Sequence, residues 1–408
     1  MTYVGLRCEA CGLTATETAA LCETCWGPLQ AVYDLEVARR SLTRASLATR
    51  PASLGRYREL LPIAVAEDFA TGVGGTPLLR APRLAARLGV GELWIKNEGA
   101  CQPTLSFKDR LVAIAAAKAR ELDMTILGCS STGNLAAAVA ARAAADGLRS
   151  VVFVPEGVEA AKLAAAAVHG AIVVEIRGDY DRAHRLSTQV ADRYGWGFVN
   201  VNLRAFYVEG GKTVGLEIAE QCGGALPGHL VVPMGGGGLL LALARAFRQA
   251  SEVGLASGSM PALHGVQAAG CAPIVSAWRD GRDDVRPVRP QTIVHSVAVG
   301  DPADGPRAVA VMRETGGRAD APTDDEALAG VRLLAETEGL FVETAGGLVV
   351  AAAQRLAADG AFADGRPVVL VVTGHGLKTA EQLPPRAVDV RLDGSLASFE
   401  AFWESREQ

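Results

Sequence analysis

Short apolar runs alternate along this chain with segments of helix-forming composition. Leu93-Trp94-Ile95, Thr125-Ile126-Leu127-Gly128-Cys129, Val151-Val152-Phe153-Val154 and Ala171-Ile172-Val173-Val174-Glu175 have the length of strands, as do Gly197-Phe198-Val199-Asn200, Leu230-Val231-Val232 and Val368-Val369-Leu370-Val371-Val372. Most are apolar at successive positions, the pattern of strands buried on both faces. Between them composition and spacing predict helices starting near residue 108 and near residue 135, then over 160–168, 180–194 and 213–221. Strand–helix alternation of this kind gives βαβ units, so the expected fold class is α/β with a mainly parallel sheet. Residues 34–72 are mixed, with short helices near Val37 and Tyr57 punctuated by Pro51 and Pro62, and the glycines from Gly72 to Gly75 form a turn into the main body. No short-period repeat argues for a solenoid.

Composition narrows the function classes. A chain of 408 residues suggests two or three domains, and 49 % apolar with 21 % charged residues excludes a mainly disordered one. The net charge of -5 provides no general basic surface for nucleic acid. No run approaches the roughly eighteen apolar residues of a membrane span, and the Ala-rich stretch from Leu135 is broken by Arg142 and Asp146. The first residues lack a basic-then-apolar signal pattern. A cytoplasmic enzyme acting on small molecules is the expectation.

The cysteines add a module at residues 1–33. Cys8-x-x-Cys11 and Cys22-x-x-Cys25 can present four thiolates tetrahedrally to one zinc ion, in a segment too poor in apolar residues to fold without a metal. A redox pair fits less well, because there are two matched pairs and no thioredoxin-like βα context. With Glu9, Glu17 and Glu23 in its loops and no lysine, the ribbon is expected to be a structural staple.

Candidate chemistry gathers at strand-to-helix junctions. Lys108, in Pro103-Thr104-Leu105-Ser106-Phe107-Lys108-Asp109-Arg110, falls near a helix start, where the helix dipole and partial desolvation reduce an amine's preference for its charged form. Such an amine suits Schiff-base formation with a carbonyl, above all the aldehyde of pyridoxal phosphate. Ser106-x-x-Asp109 also fits an ordinary capping box around a solvated lysine. Ser130-Ser131-Thr132-Gly133-Asn134 is either a seat for a carboxylate or phosphate or a plain Ser/Thr cap. Gly235, Gly236, Gly237 and Gly238 let backbone amides approach an anion, without the Walker ending or the dinucleotide fingerprint. Thr373 ends a strongly apolar strand and points a hydroxyl toward the ligand crevice. His375 is an acid–base candidate or a bystander in the same loop, and the other histidines show no metal-ligand spacing.

Taken in order, Pro-Thr-x-Ser-Phe-Lys-Asp-Arg, Ser-Thr-Gly-Asn, the glycine loop and Thr-Gly-x-Gly-Leu-Lys resemble the fold-type II pyridoxal phosphate enzymes and, within them, the threonine synthase family. Trp26-Gly27-Pro28-Leu29, Trp196 to Asn200, Asn202 to Thr213, Gly300 to Gly305 and Glu338 to Gly347 resemble the branch with an amino-terminal cysteine ribbon, so the likeness covers essentially the whole chain. Two departures stand out. Leu105 occupies a position often held by glycine, and the all-glycine cradle resembles that of threonine and serine dehydratases.

The resemblance implies a tryptophan synthase β-like fold with two three-layer αβα domains beside the zinc-ribbon-like module: a large cofactor domain at 34–104 and 205–408 and a small mobile domain at 105–204. It implies that Lys108 holds the cofactor and moves the substrate's α proton, Asn134 bonds the cofactor's phenolic oxygen, Gly235–Gly238 cradle its phosphate and Thr373 faces its pyridine nitrogen. Ser131, Thr132 and the amide of Gly133 would seat the substrate carboxylate, and Arg204 with Lys212 are candidates for the leaving phosphate, although Lys212 also fits a simple helix start. Cys8, Cys11, Cys22 and Cys25 would hold structural zinc. The implied reaction converts O-phospho-L-homoserine and water to L-threonine and phosphate, by γ-elimination and then β-addition of water, in a homodimer. The rivals are a β-eliminating or β-replacing relative, such as a dehydratase or a cysteate synthase using O-phosphoserine, and a non-catalytic ribbon protein on an old enzyme fold.

Overall fold

The computed structural model describes residues 2–131, 133–158, 160–178, 180–383 and 388–407, and three sheets organise these described residues. Strands Tyr3–Cys8, Thr14–Ala15 and Leu29–Tyr33 form an antiparallel ribbon. Its Leu6, Leu29, Ala31 and Tyr33 are buried in one core with the helix Lys108–Glu121, so the ribbon is packed onto the body. Apolar burial of this kind anchors a small module that could not bury a core alone.

The larger sheet runs Ala319–Asp320, Ala262–Val266, His229–Pro233, Val368–Val372, Leu93–Asn97, Leu78–Arg80, parallel except for the last pair. Its central strands alternate between two cores: Leu230, Val232, Val369 and Val371 face one, Val231, Leu370 and Val372 the other. Helices therefore cover both faces, which is why these strands are uninterruptedly apolar. The smaller sheet, Ile172–Ile176, Arg149–Pro155, Ile126–Ser130, Gly197–Phe198, is parallel throughout and likewise two-sided, with Leu127, Cys129, Val152 and Val154 on one face and Ile126, Val151, Phe153 and Phe198 on the other. The expected α/β architecture of two helix-covered sheets and a ribbon is the one observed.

One element departs from the sequence expectation. The helix expected over 213–221 begins at Arg204 and runs to Gln221. Gly210 and Gly211 resemble breakers in the sequence, but here they make a groove: a Cβ on Gly210 would lie 2.4 Å from the carbonyl oxygen of Arg110. One on Gly215 would lie 2.6 Å from the Ala246 Cβ, so this helix is pressed between Lys108–Glu121 and Gly238–Glu252.

Behind the first of these contacts lies a sealed ionic cluster. Arg110 donates to both oxygens of Glu98 at 2.7 and 2.9 Å, to both of Glu217 at 2.7 Å, and to the hydroxyls of Thr76 and Thr213. Lys96 completes it, with Nζ 2.7 Å from Glu217. Every charge is paired and every guanidinium nitrogen is used, which is the condition for burying such groups. The cluster fixes the helix that starts at Lys108 to the edge of the large sheet and to the helix Arg204–Gln221.

Candidate active site

The carboxyl ends of the two sheets' strands face one cavity of about 490 Å³. Lys108 is the first residue of its helix, and the loop before it is held on both sides. The N–H and hydroxyl of Thr104 donate to the Asp109 carboxylate at 2.9 and 2.7 Å. Ser106 Oγ lies 3.4 Å from the N–H of Lys108, and Asp109 reaches back to Thr104, so in place of the alternative capping box there is a clamp around Leu105. Inside that clamp Leu105 has φ 60°, the left-handed region that a side chain disfavours. Burial pushes the Asp109 carboxyl up to about 6 against the pull of the Thr104 hydrogen bonds. The loop is also zipped to the end of the central strand: the N–H of His375 donates to Leu105 and that of Phe107 to Thr373, each at 3.0 Å.

Lys108 Nζ donates to the Tyr207 hydroxyl at 3.0 Å and sits 4.5 Å from the centre of the Phe107 ring. Across the cavity, Asn134 Nδ2 and Thr373 Oγ1 donate to the two oxygens of one carboxylate, that of buried Glu343, each at 2.9 Å. Ser131 Oγ accepts from the Gly133 N–H at 3.1 Å, and Gly133 and Ser131 both line the cavity. Thr132 lies outside the described residues. The four glycines Gly235–Gly238 line the opposite wall at the start of the helix Gly238–Glu252, whose first amides have no partner within the helix. A Cβ on Gly235 would stand 3.1 Å from Val299 Cγ2, and one on Gly237, at φ 93°, 3.0 Å from the Ala308 Cβ. Side chains would fill this cradle.

Arg204 also lines the cavity and is paired with Asp304 at 2.5 Å. Lys212 does not. Eight residues along the same helix place it roughly 12 Å further on. It is fully buried there, 2.5 Å from Glu209, 2.8 Å from Gln249 and over the ring of Tyr33. The expectation that Lys212 joins Arg204 at a phosphate is corrected: once the helix starts at Arg204, the face it presents is Arg204, Tyr207, Val208 and Gly211. His375 caps the turn Gly376–Lys378 through Nδ1, 3.2 Å from the N–H of Leu377, and is not among the residues lining the cavity. Asn200 and Asn202 are spent on the turn itself, bonding Ser130 and Phe198. Tyr207, Asp304 and Glu343 are site residues that pattern alone did not single out.

In the ribbon the sulfurs of Cys8, Cys11, Cys22 and Cys25 lie within 4.8 Å of one another. The N–H groups of Cys25 and Thr24 pull the Cys22 thiol down to about 6, and those of Cys11 and Ala10 lower Cys8. Cys25 is pushed up to about 12: the Gly27 N–H draws it down, but the sulfurs of Cys8 and Cys11 outweigh it. Four sulfurs this close cannot all ionise without a cation between them, and the set fits tetrahedral zinc.

An amine at one helix start and a glycine cradle at another, both lining one cavity, fit pyridoxal phosphate. Residues 69–374 match the family of pyridoxal-phosphate dependent enzymes, and the chain belongs to that family. Within it the chain groups with the threonine synthases. It is 36 % identical over 377 residues to threonine synthase of Methanocaldococcus jannaschii, covering 91 % of this chain and 92 % of that one. It is 35 % identical over 397 residues to threonine synthase of Methanosarcina acetivorans, covering 95 % and 96 %. Among solved structures, maize serine racemase superposes with a TM-score of 0.63 at 20 % identity over 82 % of this chain and 94 % of its own, which shows the shared fold.

Proposed function

We propose that this chain is a threonine synthase, converting O-phospho-L-homoserine and water to L-threonine and phosphate. The observation that carries the reading is the meeting of Lys108, Asn134, Thr373 and the glycine cradle with Arg204 in one cavity, in a chain of which 91 % and 95 % aligns with two threonine synthases.

When bound, pyridoxal phosphate supplies the electron sink for carbanion chemistry next to the substrate's amino group. The chain's residues do the rest. Lys108 holds the cofactor through its amine and, when that amine is free, carries the α proton. Tyr207 fixes the free amine by the hydrogen bond it already makes. Asn134 and Thr373 orient the ring, and Glu343 orients both of them. The Thr373 hydroxyl is neutral, so it moderates the pull on ring electrons that an aspartate would strengthen. Gly235–Gly238 hold the cofactor phosphate by their amides, while Ser131 and Gly133 seat the substrate carboxylate. Arg204 receives the γ phosphate, the part of the substrate that must be gripped before it leaves.

The proposal extends to architecture. Residues 105–204, which hold the smaller sheet, form the domain that closes on residues 34–104 and 205–408 and excludes water until phosphate has left. Cys8, Cys11, Cys22 and Cys25 hold structural zinc, supported by their spacing. The enzyme works as a cytoplasmic homodimer. Among the described residues no helix is long and apolar enough to cross a membrane.

The test is phosphate release and amino-acid product from purified holoenzyme given O-phospho-L-homoserine, O-phospho-L-serine, L-threonine or L-serine, with Lys108→Ala as control. Equal amounts of phosphate and L-threonine from phosphohomoserine, abolished in the control, are expected. Turnover of phosphoserine alone, or keto acid from threonine or serine, would overturn the substrate assignment in favour of a β-replacing or dehydratase relative.

A further inference from the structure

An ionic chain leads from the ribbon to the cavity. Glu9 sits between Cys8 and Cys11, its own N–H bonded to the carbonyl of Pro28 near the second knuckle at 3.0 Å. Its two carboxylate oxygens take different arginines: Oε1 accepts from Arg245 at 2.8 Å and Oε2 from Arg307. Arg307 also donates to Asp304 Oδ1, and Asp304 Oδ2 accepts from Arg204 at 2.5 Å. Arg245 in turn holds Glu209, which is fully buried with Tyr33 and Lys212. Asp304 is itself buried and stands beside the cradle, 3.3 Å from where a Gly238 Cβ would be.

Every carboxylate here is shared between cations, so the place of each guanidinium depends on the next. Burial alone would raise the Asp304 carboxyl, yet Arg204 and Arg307 together hold it below its usual range, so it stays an anion at the mouth of a site that must admit a phosphate. An incoming phosphate has to share Arg204 with Asp304. How far Asp304 yields depends on how firmly Arg307 holds its other oxygen, and Arg307 is placed by Glu9.

We infer that Glu9 is a positioning residue for the phosphate end of the substrate, acting through Arg307 and Asp304 on Arg204. The cysteine knuckle is then part of the substrate-recognition apparatus as well as a staple. The physical warrant is a contiguous set of ion pairs with shared partners, the kind of network that carries coupling between sites. The inference rests on Arg204 meeting the substrate phosphate, as proposed above.

The test uses holoenzyme carrying Glu9→Gln, beside Glu17→Gln as control. Glu17 is a ribbon carboxylate too, but it pairs with Lys118 at 3.3 Å, away from the cavity. Each variant is read for KM and kcat with the phosphorylated substrate, for the dissociation constant of inorganic phosphate by calorimetry, for the cofactor's visible spectrum and for the unfolding midpoint. Glu9→Gln should raise KM and the phosphate constant about fivefold or more with kcat and spectrum little changed, while Glu17→Gln moves neither constant. Combined with Asp304→Asn, it should add far less than its separate effect, because both act on one chain of contacts. Unchanged constants in Glu9→Gln, equal shifts in both ribbon variants, or fully multiplicative effects in the double variant would each overturn the inference. Failure of the wild type to use any phosphorylated amino acid would instead sink the functional reading, and the phosphate calorimetry would still decide the role of Glu9.

Discussion

Two arginines near the same helix contact live opposite lives. Arg110 is sealed, with its pairs Glu98 and Glu217 at most 3 % exposed, and its nitrogens are all committed to the protein. Arg204 is 32 % exposed at the cavity and shares one carboxylate with a second arginine. Burial with full pairing makes an ion cluster into architecture, whereas partial exposure with a shared partner leaves a cation that can exchange its anion. The contrast fits the first cluster to holding Lys108 in place and, under the proposed function, the second to meeting the substrate.

Breaking the sealed cluster should have the largest effect. Arg110→Met leaves Glu217 and Glu98 with one cation, Lys96, between two buried carboxylates. An uncompensated buried charge of this kind costs about 3–5 kcal/mol, so a large drop in the denaturant midpoint is expected, with loss of activity following loss of fold. A midpoint within error of wild type would show that the cluster is not structural.

Arg204→Gln should do the reverse. Its partner Asp304 keeps Arg307, so stability should change by less than about 1 kcal/mol, while KM for the phosphorylated substrate rises about tenfold or more through loss of a charge-assisted contact. Equal loss in kcat and stability would erase the distinction between the two arginines. A smaller effect comes from Tyr207→Phe, which removes the 3.0 Å partner of the Lys108 amine and nothing from the fold. Losing one such hydrogen bond corresponds to about fivefold in kcat, measured under saturating substrate; no change would place Tyr207 with the cavity wall only.

How much of this was legible in the sequence follows from what each residue depends on. The strands and the three loops after them could be read because buried parallel strands are locally apolar and anion sites sit at the junctions that follow. Glu343 carries no local mark: it matters because Asn134 and Thr373, from two other segments, both turn toward it. Tyr207 and the misplacement of Lys212 share one cause. Gly210-Gly211 has the look of a helix breaker, and only the neighbouring helix, passing within van der Waals reach of Gly210, reveals it as a packing groove. With the helix starting at Arg204, the i, i+3, i+4, i+7 face would have named Tyr207, and the rise of eight residues would have set Lys212 roughly 12 Å from Arg204. Leu105 was visible as an oddity, but its reason, a positive φ inside the Thr104–Asp109 clamp, belongs to the backbone alone.

Acid titration offers the gentlest way to separate the sealed cluster from the Lys108 loop. Burial acts to raise Glu217, but Arg110 and Lys96 outweigh it and hold the group down to about 2, against an ordinary value of 4.5. A depressed carboxyl contributes stability above its unfolded pKa and loses it as pH falls through the folded one, so this contribution should fade between about 4.5 and 2. Asp109 has the opposite sign. With its folded value at about 6 and an ordinary value of 3.8, the folded state binds its proton more readily, so this group favours folding increasingly as pH falls from about 6 to 3.8. Stability should therefore rise slightly on acidification to about pH 4, where the two unfolded values bracket the balance point, and then decline. Denaturant melts across that range should show Asp109→Asn flattening the upper limb and Glu217→Gln the lower one. If Glu217→Gln instead changes the upper limb, the sealed cluster is not the acid-sensitive element, and the division between architecture and exchangeable charge has been drawn in the wrong place.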